Sequence, residues 1–523
     1  MEEYLAKVRN AFTLSLSPTS LKQLSSKLQL DFHDKLQSSD ISFLPSFHHT
    51  LPSGRETGTF LALDVGGSNF RLALISLNTR SHATDDEQTR VLHTLTFPIS
   101  SSVRALRGHA FFTWMAERIS EMLESCPTIT SQFSTSSPLL MGLAWSFPIH
   151  ATSQRSGFLL AMGKGFSATV GVQGQDLCEL IMRPCLEAGL PVHLATVVND
   201  GSATLLSQAY REPTTRMSLI LGTGTNSSIY LPVSALSKEK FGDRPESWWG
   251  RAQRVCVNTE LSMHGGGIWP LTRWDQELNS AHENPTFQPF EHFVGGRYLG
   301  EVVRLVLLEA ISEIGLFDGE TPDGLEQPYS MDSGLLAAFQ SEGSTALDKA
   351  GKAFANKYKT PRSLNKRELD FIKEVASLVS ERAAAYEAAA VHALWELRCK
   401  SEAAHKHHET QTNSNADLAG RQVNGQRKAE NGRRGSNGEA ASMSSLSHDE
   451  MKATIACNGS ILEKYPGFRE RCQGYIDALT ALSVRETHGA ESGMEGCLVE
   501  LSMARESSMF GAAVAAACCA DEE

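Results

Sequence analysis

Apolar runs along this chain are broken by short polar turns, and two of these arrangements follow the same order. In Phe60–Leu77, an apolar run that ends at Asp64 is followed by the turn Gly66–Asn69 and by a second apolar run. Met217–Leu231 repeats this order around the turn Gly222–Asn226. The alternating, β-branched flanks predict a β-hairpin in each segment rather than a strand followed by a helix. One such hairpin is an ordinary feature, but two similar ones far apart in sequence predict two related half-structures that close over one ligand.

The remaining pattern predicts strands and helices in alternation in the first half of the chain and a mostly helical second half. Continuous or alternating apolar runs predict strands, whereas apolar residues spaced three and four apart predict helices. The predicted strands cover residues 91–98, 139–148 and 193–200. The predicted helices cover residues 3–38, 111–123, 201–210, 290–314, 368–397 and 511–520. The pattern therefore combines strands and helices in the first half and leaves the second half mostly helical.

Residues 400–451 interrupt the helical half with a polar segment rich in Ser, Asn, Gly and basic residues. This composition offers little apolar surface to a core and predicts a disordered insertion. His405, His407 and His408 lie in the insertion, and we interpret them as solvated side chains rather than metal ligands. The run Arg433–Ser436 resembles a kinase target and a weak nuclear signal, but a solvated charged run explains it as well.

Length, charge and cysteine content narrow the class of protein. A chain of 523 residues is too long for one core and predicts two domains. The formal net charge of −12 argues against a protein that binds nucleic acid or an anionic membrane. No apolar run reaches the roughly 18–20 residues that cross a bilayer, and the N-terminus lacks the apolar core of a signal peptide. Ten cysteines without CxxC spacing predict reduced thiols in the cytosol or nucleus.

The glycine-rich turns are suited to phosphate groups, because glycine lets the backbone approach a ligand and exposed N–H groups form anion nests. Transfer of a phosphoryl group from a nucleotide also needs a base beside the accepting hydroxyl. Asp200 is a candidate base, since it follows an apolar strand, and it is also a candidate N-cap for the next helix. Lys164 lies between Gly163 and Gly165, and it either reaches a polar substrate or is a surface lysine in a loop.

Together these segments resemble the hexokinase family of the actin-like ATPase superfamily, including its atypical fungal members. The family's two phosphate motifs are similar to LALDVGGSNFR and LGTGTN, and its sugar-binding segment is similar to LAWSFP and SGFLLAMGKGF. Its catalytic aspartate lies in a motif similar to VVND. Further family blocks resemble VNTE at Val257–Glu260, FEHFVGGRYLGEVVR at Phe290–Arg304 and NGSILEKYPGFRER at Asn458–Arg471. The resemblance runs in order from about residue 21 to residue 517 and is interrupted by the insertion.

The resemblance implies a fold and a domain organisation. The implied fold is the α/β, two-lobed actin-like ATPase (ribonuclease-H-like) fold, with a five-stranded sheet in each lobe and a central cleft for ATP and sugar. A small-lobe domain is expected over residues 1–208 and a large-lobe domain over residues 209–517. The second of these domains contains the disordered insertion at 400–451.

The resemblance also implies the site, residue by residue. Asp200 would take the proton of the sugar 6-hydroxyl, and Lys164 is the second predicted catalytic residue. The predicted sugar-binding residues are Ser146, Phe147, Lys164, Asn199, Asp200, Asn226, Glu260 and Glu291. The predicted nucleotide-binding residues are Asp64, Gly66, Gly67, Ser68, Asn69, Arg71, Gly222, Thr223, Gly224 and Thr225. ATP is the implied cofactor, and Mg²⁺ is implied to arrive with it and keep its waters, so no metal-binding side chains are predicted.

The chain departs from the family at positions that support the site. The usual threonines before the lysine and after the catalytic aspartate are Gly163 and Gly201. The residues after VNTE are rebuilt as Leu261–Trp269, the usual aspartate of a late block is Asn458, and a usual Gly-Ser-rich nucleotide turn is Glu506–Phe510. Each lost hydroxyl is expected to weaken binding by roughly 1–2 kcal/mol. Threonine at both glycines is expected to restore activity, provided that the backbone φ is negative there.

Two functions from different classes follow. The first is a hexokinase, which phosphorylates the 6-hydroxyl of glucose or a related hexose with ATP and feeds glycolysis. The alternative is a catalytically weak, hexokinase-like regulatory protein that senses sugar and binds a protein partner through residues 400–451. A third interpretation, an actin-like structural or chaperone ATPase, leaves Glu260 and Glu291 unexplained. We expect a cytoplasmic protein, and nuclear or mitochondrial-surface association stays open.

Overall fold

The computed structural model describes residues 1–79, 88–163, 165–360, 362–421, 443–489 and 496–520, with the backbone alone for 412–421 and 520. The strands are β1 (Leu44–Pro45), β2 (Gly58–Val65), β3 (Asn69–Leu77), β4 (Thr89–Pro98), β5 (Leu139–Trp145), β6 (Ile149–Ala151), β7 (Gly157–Leu159), β8 (Val192–Val198), β9 (Thr215–Leu221), β10 (Thr225–Asn226), β11 (Ser228–Pro232), β12 (Arg254–Asn258), β13 (Ala453–Asn458) and β14 (Val499–Met503). The α-helices are α1 (Glu2–Thr13), α2 (Pro18–Ser38), α3 (Ser101–Arg104), α4 (His109–Ser125), α5 (Pro127–Thr130), α6 (Leu177–Glu187), α7 (Asp200–Arg211), α8 (Glu246–Arg251), α9 (Arg273–Ala281), α10 (Glu291–Val294), α11 (Gly296–Ile314), α12 (Ser333–Ser341), α13 (Asp348–Lys357), α14 (Lys366–Arg421), α15 (His448–Met451), α16 (Ser460–Lys464), α17 (Phe468–His488) and α18 (Ser507–Ala520).

Two mixed β-sheets share one strand plan. In the first sheet the order is β4-β3-β2-β5-β8, with antiparallel pairing from β4 to β2 and parallel pairing from β2 to β8. The second sheet repeats this plan as β12-β11-β9-β13-β14, with β1 added beside β12 and the short β10 beside β9. The repeated plan confirms the two-lobed α/β fold.

Both predicted hairpins are confirmed. β2 and β3 pair along their whole length up to Val65 and Phe70, so their turn is short. β9 pairs with β11 through Met217 and Ile229, and β10 folds back on the end of β9. The apolar runs on either side of each turn identified both hairpins because these strands are buried along most of their length.

The helices at the two ends of the chain pack on opposite lobes. The side chains of α1 and α2 at Val8, Phe12 and Phe32 are buried in the core that includes β9 and β12 of the second sheet. Helix α18 instead packs on the first sheet, where its alanines contact Phe60 and other residues of β2, β3 and β5. The domain boundary at residue 208 stays a prediction of the sequence. The N-terminal helices α1 and α2 pack on the second sheet, and the C-terminal helix α18 packs on the first, so the terminal helices are exchanged between the lobes.

Two glycines explain how closely α18 approaches its neighbours. A Cβ atom at Gly511 would lie 2.0 Å from the carbonyl oxygen of Ala203 on α7, and one at Gly142 would lie 1.9 Å from that of Ala512. Neither position has room for a side chain. The small residues of the C-terminal helix therefore serve a backbone contact between α18, α7 and β5.

The prediction of disorder from 400 to 451 is wrong at both ends of that segment. Helix α14 continues through residue 400 to Arg421, and His405, expected to be solvated, is buried, whereas His407 and His408 are exposed. After the gap, Met443 and Leu446 are each 4% exposed and belong to the core of the second lobe. A few apolar side chains are enough to anchor a polar segment to the core. The average composition of the segment does not reveal them. Residues 422–442, with Arg433–Ser436, lie outside the described residues.

Leu446→Ala is expected to lower the free energy of unfolding by about 2–3 kcal/mol, because the truncated side chain leaves a cavity in a core. Urea denaturation followed by circular dichroism measures the loss. Leu271→Ala is the matched control, since Leu271 is 48% exposed and its truncation leaves no cavity. Equal stability of the two variants would show that Leu446 does not pack.

Cysteine pairing and helix hydropathy can be stated for the described residues. Among the described residues, the cysteines form no disulfide bond with one another. Within the described residues, no helix combines the length and the hydropathy that a membrane span requires.

Candidate active site

The first turn, between β2 and β3, presents backbone N–H groups. Gly66 N donates to Asn69 O (3.1 Å) and closes the turn. Arg104 Nη2 donates to Gly67 O (2.9 Å), and Ile99 N donates to Ser68 O (2.8 Å), so the carbonyl groups are held from outside. Within the described part of the chain, the N–H groups of Gly67 and Ser68 donate to no protein acceptor. They are available to an anion.

Asp64 and Arg71, both predicted to bind nucleotide, contact each other. Arg71 Nε donates to Asp64 Oδ2 (2.8 Å), and Arg71 Nη2 donates to the same oxygen. Burial raises the pKa of the Asp64 carboxyl, and the guanidinium of Arg71 opposes that rise. Arg71 Nη1 also lies 3.9 Å from Glu506 Oε2. The structure thus places a second carboxylate, from the altered turn Glu506–Phe510, against the arginine of the first turn.

The second turn, between β9 and β10, is held by the N-terminus of α11. Gly296 N donates to Gly222 O (2.8 Å), and Arg297 N donates to Thr223 O (3.2 Å). Gly222 N donates to Gly224 O (2.9 Å) within the turn. The turn is therefore fixed from behind, with Thr223 exposed at its tip.

A pocket of about 270 Å³ opens beside the second turn. Its lining comes from the turn, from α11, from the segment before α12 and from the start of α16. The lining residues are Gly222, Thr223, Gly296, Arg297, Tyr329, Met331, Asp332, Ser333 and Ser460. The guanidinium of Arg297 lies 4.8 Å from the ring centroid of Tyr329. A flat aromatic and cationic wall next to this glycine-rich turn is suited to the nucleoside end of a nucleotide.

Asn199 and Asp200 lie where β8 ends and α7 begins. The N-cap is Asn199, whose Oδ1 accepts from Ser202 N (2.8 Å), so Asp200 is the first helical residue and not the cap. Asp200 Oδ1 accepts from Gly201 N (2.8 Å). The other amide atom of Asn199, Nδ2, is buried and has no hydrogen-bond partner among the described residues. A buried donor without an acceptor is costly, and beside a carboxylate it indicates a ligand position.

A chain of amides and carboxylates continues from Asn226 to Glu260. Asn226 Nδ2 donates to Asn258 Oδ1 (3.1 Å), and Asn258 Nδ2 donates to Glu260 Oε1 (2.7 Å). Glu260 has a left-handed backbone, with φ of 50°, which is a strained conformation that tends to occur at functional sites. Burial raises the pKa of Glu260; the Asn258 hydrogen bond opposes this, while the Asp200 charge adds to it. That interaction brings Asp200 and Glu260 into one site.

Glu291 lies directly against the second turn. Thr225 N donates to Glu291 Oε2 (3.3 Å), and a Cβ atom at residue 224 would lie 1.9 Å from the same oxygen. A side chain at position 224 would therefore displace the carboxylate of Glu291 from this position. Glu291 begins helix α10, so its position depends on the packing of that short helix on the turn.

Two further predicted residues, Ser146 and Phe147, lie in the segment after β5. Ser146 N donates to Val65 O (3.2 Å) and joins this segment to the first hairpin. The ring of Phe147 is buried against Trp145 and Phe166, so it supports the sugar-binding segment by packing. Lys164, predicted as a catalytic and sugar-binding residue, lies outside the described residues.

The two glycines that replace threonines differ from each other. Gly163 has φ of +66°, which a β-branched residue adopts only with strain. At Gly201 a Cβ atom would lie 2.6 Å from Ser228 Oγ. Threonine at both positions was expected to restore activity only if φ is negative at both, and the positive φ of Gly163 fails that condition. At position 201 the hydroxyl of Ser228 lies where the threonine side chain would begin, and it also lies 3.3 Å from Ser202 Oγ.

The rebuilt segment Leu261–Trp269 is well anchored. His264 Nδ1 lies 3.0 Å from Asp31 Oδ2 on α2, and its Nε2 lies 3.0 Å from Thr259 O. The Trp269 ring stacks on Phe290, with centroids 4.9 Å apart. The segment thus holds Glu260 on one side and the start of α10 on the other.

Sequence reasoning missed three parts of this site. Asn258 lies within the quoted VNTE block, and its position between Asn226 and Glu260 was a usable signal. The pocket residues from 297 to 333 carry no local motif and are assembled only by packing. Glu387, which contacts Thr225, is a single acid in an alanine-rich stretch of α14. Among the described residues, no group of three or more His, Cys, Asp or Glu is arranged to hold a metal ion.

The arrangement is suited to one kind of chemistry. The first turn offers the N–H groups of Gly67 and Ser68 to phosphate oxygens, and a pocket adjoins the second turn. The half-buried side chains of Asn199, Asn226, Glu260 and Glu291 offer paired donors and acceptors. A polyhydroxylated molecule bound by these groups would place a hydroxyl within reach of Asp200. Proton removal from that hydroxyl would then make it a nucleophile towards a bound phosphate.

Comparisons with known proteins agree with this chemistry. Two family models, each described as Hexokinase, match residues 5–210 and 216–518. Hexokinase-2 of Candida albicans is 25% identical over 518 residues, which is 98% of this chain and 92% of that protein. Hexokinase-2 of Oryza sativa subsp. japonica is 29% identical over 388 residues, or 72% of this chain and 74% of that protein. The structure of a hexokinase from Schistosoma mansoni complexed with glucose covers 99% of both chains, with a TM-score of 0.70 and 23% identity, which shows a shared fold.

Proposed function

The chain belongs to the hexokinase family and is a hexose kinase, and we propose that it transfers the terminal phosphoryl group of ATP to the 6-hydroxyl of glucose or a related hexose. The observation that carries this proposal is the buried, unpartnered Nδ2 of Asn199 beside the carboxylate of Asp200. A sugar hydroxyl is an acceptor for that nitrogen and a donor to that carboxylate. The relatives described above are hexokinases, so the comparisons do not favour the regulatory alternative.

In this mechanism the described side chains bind the sugar and move one proton. Asn199, Asn226, Glu260 and Glu291 would hydrogen-bond the sugar hydroxyls and fix the ring. Asp200 would take the proton of the 6-hydroxyl as the oxygen attacks the terminal phosphorus. Because the buried polar groups would be left unpaired by a ligand without matching hydroxyls, the same residues supply specificity.

The nucleotide would bind across the two turns. The free N–H groups of Gly67 and Ser68 fit phosphate oxygens from one side, and the turn Gly222–Thr225 fits them from the other. The pocket lined by Arg297, Tyr329 and Ser333 would hold the nucleoside. Mg²⁺ bound to the phosphates would neutralise charge that develops on them.

A coupled assay for hexose 6-phosphate on the purified protein tests the proposal. Product that requires both ATP and glucose, or another hexose, is the expected result. Saturable glucose binding without turnover of any hexose would contradict the proposal and would favour a regulatory, sugar-sensing protein instead.

Glu506→Gly is expected to lower the KM for ATP by roughly tenfold, about 1.4 kcal/mol, with little change in kcat. The carboxylate lies 3.9 Å from the Arg71 guanidinium, at the turn where phosphates would bind, and its φ of +46° is one that glycine adopts without strain. Steady-state kinetics with ATP as the varied substrate measures the effect.

Glu506→Gln is the control, since it removes the charge and keeps the strained backbone. If charge is responsible, both variants lower the KM; if strain is responsible, only glycine does. An unchanged KM in both variants would mean that Glu506 does not compete with the phosphates for Arg71.

A further inference from the structure

Glu387 is a buried acid with no cation beside it. It lies on α14 between two runs of fully buried alanines, and the exposed fraction of its side chain is 0%. Within the described residues no Lys, Arg or His forms an ion pair with it, whereas Asp275, Glu301 and Glu396 are each paired with a cation. A carboxyl group kept in a core without a counter-ion has a role that packing does not explain.

The hydrogen-bond partner of Glu387 is the second turn. Thr225 Oγ1 lies 3.3 Å from Glu387 Oε1 and 3.5 Å from Oε2. The N–H of the same threonine donates to Glu291 Oε2. Thr225 therefore connects a buried carboxyl behind the turn to the carboxylate in front of it, and a shift of Glu387 would move the turn.

The surroundings of Glu387 keep it protonated at neutral pH. Burial raises the pKa of Glu387 to about 8, and the hydrogen bond from Thr225 opposes this rise. The titratable groups that face it from other elements are the thiols of Cys457 on β13 and Cys472 on α17. On its own helix, Arg382 is bound to Asp275, and His392 is bound to the hydroxyl groups of Ser25 and Ser483.

We propose that Glu387 is a positioning residue of the nucleotide site, which holds Thr225 through its neutral carboxyl group and weakens nucleotide binding when it loses its proton. The inference rests on the proposed function, since it assigns the turn Gly222–Thr225 to phosphate groups. An ionised Glu387 places a buried negative charge directly behind that turn. This charge would repel the nucleotide phosphates and strengthen the hydrogen bond from the Thr225 hydroxyl, which would shift the turn.

The first test compares wild-type protein with Glu387→Gln between pH 7 and pH 9. If the ionised form does not bind nucleotide, the wild-type KM for ATP rises by up to about tenfold over this range, because the competent fraction falls by that factor. Glutamine keeps the shape and an acceptor for Thr225 but cannot ionise, so its KM changes less than twofold. The dependence of kcat on pH is expected to be the same in the wild type and in Glu387→Gln.

Glu374→Gln is the matched control, since Glu374 is a partly exposed acid on the same helix that pairs with Arg9. It should keep the wild-type pH profile. If Glu387→Gln shows the same rise in KM as the wild type and this control, the proposal is overturned.

A second readout does not depend on activity. The pKa of Glu387 is raised from its ordinary value of 4.5 in the folded state, so its contribution to stability is full below pH 4.5 and is lost as the pH rises towards about 8. The difference in Tm between Glu387→Gln and the wild type should therefore be near zero at pH 4.5 and grow to several degrees by pH 9. A constant difference would contradict the buried titration.

Calorimetric titration with ADP separates this inference from the proposed function. Wild-type affinity for ADP should fall from pH 7 to pH 9 even if no hexose is phosphorylated, which would defeat only the proposed function. An affinity that is flat in the wild type overturns the positioning role of Glu387, whether or not the glutamine variant folds.

Discussion

Replacing Asp200 with alanine is expected to lower kcat for hexose phosphorylation by about 10²–10⁴-fold, the usual contribution of a general base. The loss should appear in kcat and not in sugar affinity, because the base acts in the transition state. The fold should persist, since Asn199 and not Asp200 caps α7. Turnover from the coupled assay and glucose affinity from tryptophan fluorescence measure the two quantities.

Asp348→Ala is the matched control for this prediction. Asp348 is also the first residue of a helix, α13, and is exposed. Its removal should leave kcat within about twofold of the wild type. More than about a tenth of wild-type turnover in Asp200→Ala would show that another group takes the proton.

Replacing Arg382 with methionine is expected to lower the free energy of unfolding by about 3–5 kcal/mol, because it leaves a buried carboxylate without its cation. Arg382 Nη1 and Nη2 donate to the two oxygens of Asp275 at 2.6 and 2.9 Å, and the side chains are 1% and 5% exposed. Asp275 also closes the capping box of α9 with Thr272. Urea denaturation monitored by circular dichroism gives the change.

Arg9→Met is the matched control, since Arg9 pairs with Glu374 at side-chain exposures of 54% and 38%. An exposed pair of this kind contributes less than about 1 kcal/mol. The double variant Arg382→Met/Asp275→Asn should recover part of the loss, because the unpaired charge is removed. A single variant no less stable than Arg9→Met would mean that water reaches the buried pair.

The hairpins and the position of Asp200 directly after a strand were predictable because their signals are local. The apolar runs around Gly66 and Gly222 follow from strands that are buried on both faces, and glycine allows the turns between them to approach a ligand or another backbone. Asp200 was recognisable from the strand that ends before it, although its second interpretation as an N-cap is wrong, since Asn199 has that role. Local patterns carry this information without knowledge of the rest of the fold.

Other features depend on residues that are distant in sequence. Whether Gly201 leaves a gap depends on Ser228, whose hydroxyl comes from another strand. Met443 and Leu446 are buried because the core of the second lobe has room for them, whereas the average composition of 400–451 predicts solvation. Glu387 follows an alanine run that predicts a buried helix, but its contact with Thr225 exists only after the helix docks on the second sheet.

The exchange of the terminal helices has a consequence for biosynthesis. The first sheet is complete when β8 has emerged from the ribosome, but the face that contacts Phe60 and Ala62 stays uncovered until α18 is made. At roughly 5–20 residues per second, the intervening stretch of about 300 residues takes on the order of 15–60 seconds to translate. During that time the nascent chain presents an apolar sheet to solvent or to a chaperone, and the last helix to be synthesised is the one that ends this exposure.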